Sequence, residues 1–100
     1  MADIKDLNSE ITKYRLEIDS IDEELVSLLN KRAATAKKIG HIKRKYNVAV
    51  YVPSREEEVI SHVQKINQGP LGEEAIRRLF ERIIDESRRL ERETTIIDKK

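Results

Sequence analysis

Apolar residues recur at alternating steps of three and four along the first half of the chain. The series comprises Ile11, Tyr14, Ile18, Ile21, Leu25, Leu28, Arg32, Thr35, Ile39, Ile42 and Tyr46. This heptad spacing predicts one continuous α-helix over residues 9–46, with the series on one side of it, here called the heptad face. Gly40 disfavours the helix locally, by about 1 kcal/mol relative to alanine, but does not interrupt the spacing.

Two shorter helices are predicted after this one. Residues 47–53, NVAVYVP, are β-branched and end in proline, which indicates an extended loop. Ser54 then begins the second helix, because Ser54 and Glu57 have the spacing of a capping box. The turn-forming residues 67–72, NQGPLG, end it. A third helix is predicted over about 73–93, and the tail that follows has no clear period and is expected to fray.

The inner faces of the two shorter helices follow from the same kind of spacing. They comprise Val59, Ile60, Val63 and Ile66 in the second helix, and Ile76, Leu79, Phe80, Ile83, Ile84, Ser87, Leu90 and Glu91 in the third. The predicted fold class is therefore all-α, three helices with a very long first helix, in a single domain over residues 1–100.

The first helix is too long for one compact chain of this size. At 1.5 Å per residue it would span roughly 57 Å, whereas a compact 100-residue domain has a radius of gyration of about 13 Å. The two shorter helices cannot cover its heptad face, so we predict an intertwined homodimer. The alternatives are a partly exposed helix and a partner helix on a different protein, and the unbroken apolar spacing argues against full exposure.

Composition excludes several classes of partner. Charged residues make up 39% of the chain but balance to a net charge of +1, which does not indicate nucleic acid. The sequence has no cysteine, which excludes disulfides and thiolate metal sites and suits a reducing cytoplasm. No apolar run resembles a signal peptide or a membrane span, so no membrane partner is expected. His41 and His62 lie on different helices without a carboxylate pair at ligand spacing, so no metal site is expected.

A cation stands on the heptad face where an apolar residue is expected. Arg32, followed by the half-polar Thr35, breaks the apolar character of that face for a full turn. A buried guanidinium needs an anion, which is either a bound ligand or a structural ion-pair partner. Alternatively, the stem packs while the charged head reaches water. Lys43 lies eleven residues on, close to the same face, and Arg15 flanks Tyr14, where an inter-chain salt bridge would account for it.

Polar residues also interrupt the inner face of the third helix. Phe80, Ile84, Ser87 and Glu91 share one side of it by the i, i+4, i+7, i+11 spacing. A lone serine on such a face usually bonds its own backbone. A carboxyl one turn further along the same face is not explained in that way.

Four further charged residues have simpler interpretations. Arg55 and Glu56 open the second helix, where a carboxylate suits the positive end of the helix dipole. Arg88 and Arg89 are expected at the surface. Taken together with Arg32, the cations, hydroxyl and carboxyls suggest a pocket inside a helical bundle that suits a small dianion rather than a metal ion.

Three segments of the chain carry a resemblance to a known family. They are YRLEIDSIDEELVSLLNKRAATAKKIGHIK, VYVPSREEEVI and GPLGEEAIRRLFERIIDESRRLE. With the motifs R-x-x-I-D-x-I-D, L-L-x-x-R, I-G-x-x-K, R-E-E-E-V and I-I-x-x-S in that order, about residues 7–92 resemble the all-helical, AroQ-class chorismate mutases (chorismate mutase type II). The resemblance implies an intertwined homodimer of three-helix chains, with active sites shared between the subunits. It also implies cofactor-free conversion of chorismate to prephenate, a step toward phenylalanine and tyrosine.

The resemblance implies a role for each candidate residue. Arg32 and the partner subunit's Arg15 would bind the two carboxylates of chorismate, because the planar guanidinium grips a carboxylate with two hydrogen bonds. Lys43 would contact a carboxylate and the ether oxygen of the breaking C–O bond, and Arg32, Lys43 and Glu91 would form the catalytic set. The other substrate-binding positions are Glu56 for the ring hydroxyl, Ser87 near a carboxylate, Arg55 lining the pocket and Val52 through its backbone.

Two positions depart from the family pattern. Val52 stands where an aspartate is frequent, which matters little if only its backbone is used. Glu91 stands where some relatives have glutamine, and a carboxyl donates a hydrogen bond only when it is protonated. Burial raises the pKa of a carboxyl, and neighbouring cations lower it. Our hypothesis is that Glu91 works protonated, so that activity falls as pH rises through its pKa.

Two other functions fit the same residues. An isochorismate-pyruvate lyase on this fold would use a similar set of cations, since a fold alone does not set the reaction. A non-catalytic helical dimerisation or regulatory module would tolerate Arg32→Ala, whereas an enzyme would lose turnover. The resemblance is compatible with a free-standing mutase and with one domain of a bifunctional enzyme that also carries a prephenate dehydratase or a 3-deoxy-heptulosonate-7-phosphate synthase.

Overall fold

The protein is built from three α-helices in the computed structural model, which describes residues 3–98 and the side chains of residues 3–93. The helices are α1 (Ile4–Lys45), α2 (Pro53–Ile66) and α3 (Glu73–Asp98), and the described residues form no strand. This confirms the predicted all-α class with a very long first helix. No helix in the described part has both the length and the apolar character that a membrane span requires.

The first helix passes through Gly40 without a break and ends where the sequence changes character. Asn47 has a φ of 56°, the left-handed conformation that ends many helices. The Asn47 N–H donates to the Arg44 carbonyl at 3.1 Å, and the Val48 N–H donates to the Lys43 carbonyl at 2.9 Å. These two bonds form a Schellman motif, which satisfies the last carbonyls of α1 and turns the chain into the predicted loop.

The second helix begins at Pro53, one residue before the predicted start. Its N-cap is Val52, and no side chain caps it, so the predicted capping box of Ser54 and Glu57 is wrong. Proline suits the first helical position because its φ is already helical and it has no N–H to satisfy. The Val52 carbonyl accepts hydrogen bonds from the N–H groups of Arg55 and Glu56 at 3.1 and 3.2 Å, and these bonds begin the helix.

The third helix extends to Asp98, five residues beyond the predicted end. The expectation that the tail frays is therefore wrong for residues 94–98, while Lys99 and Lys100 lie outside the described residues. An established helix gains one hydrogen bond for each residue added, without a new nucleation cost, so a weakly patterned tail continues it.

The chain divides into two compact units, Met1–Arg32 and Ala33–Lys100. In the first unit the described residues belong mainly to α1, and the apolar residues of its heptad face are exposed. Tyr14, Ile18, Ile21, Leu25 and Leu28 are between 49% and 62% exposed. This part of α1 therefore carries an apolar face that its own unit does not bury.

The second unit contains the last turns of α1 and the packed pair α2 and α3. The buried apolar residues in the described part of the chain are Ala36, Ile60, Val63 and Ile84. Three of these belong to the predicted inner faces of α2 and α3, which confirms those assignments. Ile66 and Leu79 were predicted on the same faces, but they are 60% and 52% exposed in the single chain.

Candidate active site

A lysine and a glutamate meet where the end of α1 lies beside α3. The Lys43 Nζ is 3.6 Å from the Glu91 Oε2, and the two side chains are only 21% and 11% exposed. Both residues were candidates from the sequence, and the structure brings them together. Because the pair is largely shielded from water, its charges interact more strongly than those of a surface pair.

Gly40 makes the close approach of Glu91 possible. A Cβ at position 40 would lie 3.3 Å from the Cα, Cβ and Cγ of Glu91, which is tighter than ordinary van der Waals contact. Gly40 is itself buried and precedes Lys43 by about one helical turn. The glycine of the I-G-x-x-K motif therefore lets the carboxyl-bearing part of α3 reach the lysine.

The loop between α1 and α2 also holds the lysine. The Lys43 Nζ donates a hydrogen bond to the Val50 carbonyl at 2.8 Å. An ammonium has three N–H donors, so this bond sets the direction of the head group and leaves donors for a ligand anion or oxygen. Sequence spacing gave no sign of this contact, because it involves a backbone carbonyl in an irregular loop.

A second charged cluster links the first turn of α2 to α3. The Arg88 Nη1 donates to the Glu56 Oε2 at 2.7 Å, and the Arg88 Nη2 donates to the Asp85 Oδ1 at 2.7 Å. The side chains of Arg88 and Glu56 are 22% and 27% exposed. The expectation that Arg88 lies at the surface is therefore wrong, whereas Arg89 is exposed as expected.

The Arg88 guanidinium also contacts the loop before α2. Its Cζ lies 4.7 Å from the centre of the Tyr51 ring, a distance typical of a cation–π interaction. Arg88 is thus a residue of the site region that the sequence analysis missed. The spacing of Asp85 and Arg88 was visible in the sequence, but the contacts with Glu56 and Tyr51 depend on how α2 and its preceding loop pack against α3.

Arg55 lies at the surface of α2, next to Glu56 in the chain. Its side chain is 69% exposed, and its Nη1 pairs with the Glu58 Oε2 at 3.4 Å along the surface of α2. Val52 is exposed, and its carbonyl is used to begin α2. Ser87 is half-buried on α3, one turn before Glu91.

The two predicted carboxylate-binding arginines lie on α1, within the first compact unit. Arg32 is half-buried, and Arg15 is exposed. An exposed arginine beside an uncovered apolar face is accessible to a partner chain.

The clusters carry donors and acceptors suited to a polar organic ligand. Lys43 supplies a cation, while Glu56 and Glu91 supply carboxyls within the same compact unit. Among the described residues, no three His, Asp or Glu side chains come together as metal ligands. Lys43, Glu56 and Glu91 can offer hydrogen bonds and charge stabilisation to such a ligand.

Comparison with known protein families gives a consistent result. A family model described as chorismate mutase type II matches residues 14–92. The chain is 38% identical over 91 residues to a bifunctional chorismate mutase/prephenate dehydratase from Aquifex aeolicus, an alignment that covers 87% of this chain and 25% of that protein. The chain spans about a quarter of the length of this protein and of a similar bifunctional chorismate mutase/prephenate dehydratase from Neisseria gonorrhoeae.

Two solved structures that are similar to this chain are described as chorismate mutases. The structure of chorismate mutase (form II) from Thermus thermophilus is similar with a TM-score of 0.82 and 34% identity, covering 83% of this chain and 94% of that one. The structure of chorismate mutase from Helicobacter pylori in complex with prephenate is similar with a TM-score of 0.80 and 30% identity, covering 86% and 93%.

Proposed function

The chain belongs to the chorismate mutase type II family, and from this premise we propose that it converts chorismate to prephenate in phenylalanine and tyrosine biosynthesis. The observation that carries the proposal is the shielded pair of Lys43 and Glu91, held 3.6 Å apart at two positions of the family pattern. The reaction is an intramolecular Claisen rearrangement in which one C–O bond breaks and one C–C bond forms. It requires neither a cofactor nor a nucleophile.

Lys43 stabilises the charge that develops on the ether oxygen as the C–O bond breaks. Its ammonium is already oriented by the Val50 carbonyl, so it does not need to reorganise during the reaction. A preorganised donor of this kind contributes about 3 kcal/mol to lowering the barrier. Glu91 acts as a second donor to the same oxygen when its carboxyl is protonated.

The remaining residues hold the flexible substrate in a compact, chair-like conformation. Arg32 and the partner subunit's Arg15 bind the two carboxylates, and Glu56 accepts a hydrogen bond from the ring hydroxyl. Restricting the substrate in this way removes much of the entropic part of the barrier before the bonds change. Ser87, Arg55 and the backbone of Val52 complete the contacts, as the family pattern implies.

A second copy of the chain completes the enzyme in this proposal. The heptad face of α1 is about half exposed in the single chain, and such an apolar face is normally covered by a partner. Its heptad spacing suits another helix of the same kind. In this proposal the mutase domain extends over residues 1–100, with its core at about 7–92, and the family match over residues 14–92 supports most of that core.

The test is turnover of chorismate by the purified chain, followed as loss of chorismate absorbance with identification of prephenate as the product. We expect cofactor-free turnover, and we expect Lys43→Met to lower kcat by about 100- to 1,000-fold, because it removes a preorganised donor. Lys38→Met is the matched control, since Lys38 lies exposed on the same helix.

Two results would contradict the proposed function. One is a folded wild-type protein that leaves chorismate unchanged while it releases pyruvate from isochorismate, which would identify a lyase. The other is a folded protein that turns over neither compound. Equal losses in Lys43→Met and Lys38→Met would contradict the role of Lys43.

A further inference from the structure

Arg88 is bound to three elements of the second unit at once. One guanidinium nitrogen donates to Glu56 on α2 and another donates to Asp85 on α3, each at 2.7 Å. The central carbon of the same group, Cζ, lies over the Tyr51 ring in the loop that precedes α2. Its side chain is only 22% exposed, so the guanidinium is far less hydrated than that of a surface arginine.

The direction of the hydrogen bonds suggests what this arrangement does. Glu56 lies in the first turn of α2, where a glutamate side chain has several accessible rotamers. Arg88 binds its Oε2, which leaves the other carboxylate oxygen, Oε1, available as an acceptor. Asp85 accepts a hydrogen bond from the second nitrogen of the guanidinium and so fixes its orientation. The guanidinium in turn orients Glu56.

We propose that Arg88 is a positioning residue for the mutase reaction, which holds the Glu56 carboxylate in the orientation that accepts the ring hydroxyl of the substrate. Asp85 and Tyr51 fix the guanidinium in turn. This inference rests on the proposed function, because it assigns Arg88 a role only through the contact between Glu56 and chorismate.

A structural ion pair is the competing interpretation, and the two make different kinetic predictions. An arginine that only stabilises the fold would alter activity to the same extent whether or not Glu56 can act. An arginine that works through Glu56 would have no further effect once the Glu56 carboxylate is removed, since residues in one network are not additive.

The experiment is a double-mutant cycle on turnover of chorismate, with Arg88→Met, Glu56→Ala and the double variant. Arg88→Met keeps an apolar stem beside Tyr51 while it removes both hydrogen bonds. We expect it to lower kcat/KM by about tenfold in the wild-type background, as expected for loss of a charged hydrogen-bond partner. In the Glu56→Ala background, which has no side-chain acceptor at this position, we expect a change of less than about twofold.

The split between KM and kcat is a second readout. The ring hydroxyl is not one of the reacting atoms, so Glu56 binds it similarly in the substrate and in the transition state. Arg88→Met is therefore expected to raise KM while kcat changes by less than about threefold. Arg88→Lys, which retains a cation and can still donate to Glu56, is expected to recover part of the loss and serves if the methionine variant folds poorly.

Arg89→Met is the matched control. Arg89 is the next residue on α3, its side chain is 65% exposed, and its guanidinium lies 3.8 Å from Glu86. We expect its KM and kcat to equal those of the wild type.

The outcomes separate the inference from the proposed function. Equal losses from Arg88→Met in the two backgrounds would overturn the inference and identify a structural ion pair. An Arg88→Met variant with the same kcat and KM as the wild type would also overturn the inference. In either case the proposed function stands as long as the wild-type protein converts chorismate. If the folded wild-type protein does not convert chorismate, the proposed function fails, and the inference fails with it.

Discussion

Lys43 owes its defined position to two other parts of the fold. A free lysine side chain carries about 2 kcal/mol of rotamer entropy, which a ligand must otherwise overcome when it orders the side chain. The hydrogen bond to Val50 and the proximity of Glu91 restrict this freedom in advance of ligand binding. By position alone, a lysine in the last turn of an α-helix suggests only a favourable interaction with the helix dipole. These two contacts make Lys43 a preorganised hydrogen-bond donor.

The protonation state of Glu91 provides a test at the scale of a single residue. The residue is 8% exposed, and burial favours its neutral acid, whereas the nearby Lys43 ammonium favours the carboxylate. If the acid is the working form, activity is present below the pKa of Glu91 and is lost above it. We expect wild-type kcat to fall as pH rises from about 5.5 to about 8, whereas Glu91→Gln, which always donates, holds its rate.

The measurement is kcat for both proteins across that pH range, with circular dichroism to show that each remains folded. A flat wild-type profile would contradict the hypothesis that the protonated acid is required. A parallel fall in Glu91→Gln would assign the titration to another group.

At the scale of an element, the last turns of α1 combine two requirements. The helix must continue far enough to include Lys43, and its side chains there must be small enough for α3 to pack closely against it. Gly40 meets the second requirement at a cost in helix propensity of about 1 kcal/mol. The helix then ends two residues after Lys43, where the left-handed Asn47 and the Schellman bonds redirect the chain so that Val50 can reach the lysine.

Gly40→Ala tests this close contact. A methyl group there would lie 3.3 Å from three carbons of Glu91, including its backbone Cα, so α3 must shift by a few tenths of an ångström. The gain in helix propensity opposes the steric cost, so the free energy of unfolding should change by less than about 1 kcal/mol. The displaced Glu91 should lower kcat/KM by about tenfold, because catalytic donors act over short distances.

Urea unfolding and turnover of chorismate measure the two effects separately. Gly72→Ala is the control, since a Cβ at that position meets no atom within 4 Å. Full activity in Gly40→Ala would show that the spacing between the two helices is not limiting.

At the scale of the whole molecule, the apolar residues exceed what one chain buries. Apolar residues make up 38% of the sequence, but the buried apolar set in the described part is Ala36, Ile60, Val63 and Ile84. Many of the exposed apolar residues belong to the heptad face of α1. A second copy that covers this face would supply the missing core, and folding and association would then be one process.

Ile21→Glu tests that proposal. Ile21 is on the heptad face and 59% exposed in the single chain, so a charge there is harmless in a monomer but buried in the proposed dimer. We expect wild-type protein to sediment at about twice the chain mass of 11.7 kDa, and Ile21→Glu to dissociate and lose activity. Ser20→Glu, at the neighbouring exposed position away from that face, should remain dimeric. A monomeric, active wild type would refute the dimer.

Residue spacing along the chain was sufficient to predict the three helices, and it marked several of the candidate site residues. Heptad steps predict α1 because they repeat every turn of the same helix, and the residues around Asn47 and Gly72 mark the breaks. The inner-face spacing of α3 likewise marks Glu91 as unusual, because it places a carboxyl on an otherwise apolar side. The predicted start of α2 was wrong because serine and proline both suit helix N-termini. Which of the two residues begins the helix depends on the backbone conformation of Val52.

The spacing of residues along the chain did not predict the contacts between charged groups. Arg88 and Glu56 are 32 residues apart, and nothing in either neighbourhood specifies that they meet. The bond from Lys43 to Val50 likewise requires the particular course of an irregular loop. A periodic pattern records which side of a helix is apolar, because burial repeats with each turn. It does not specify which charged side chains of two helices contact each other, since those contacts depend on how the helices pack.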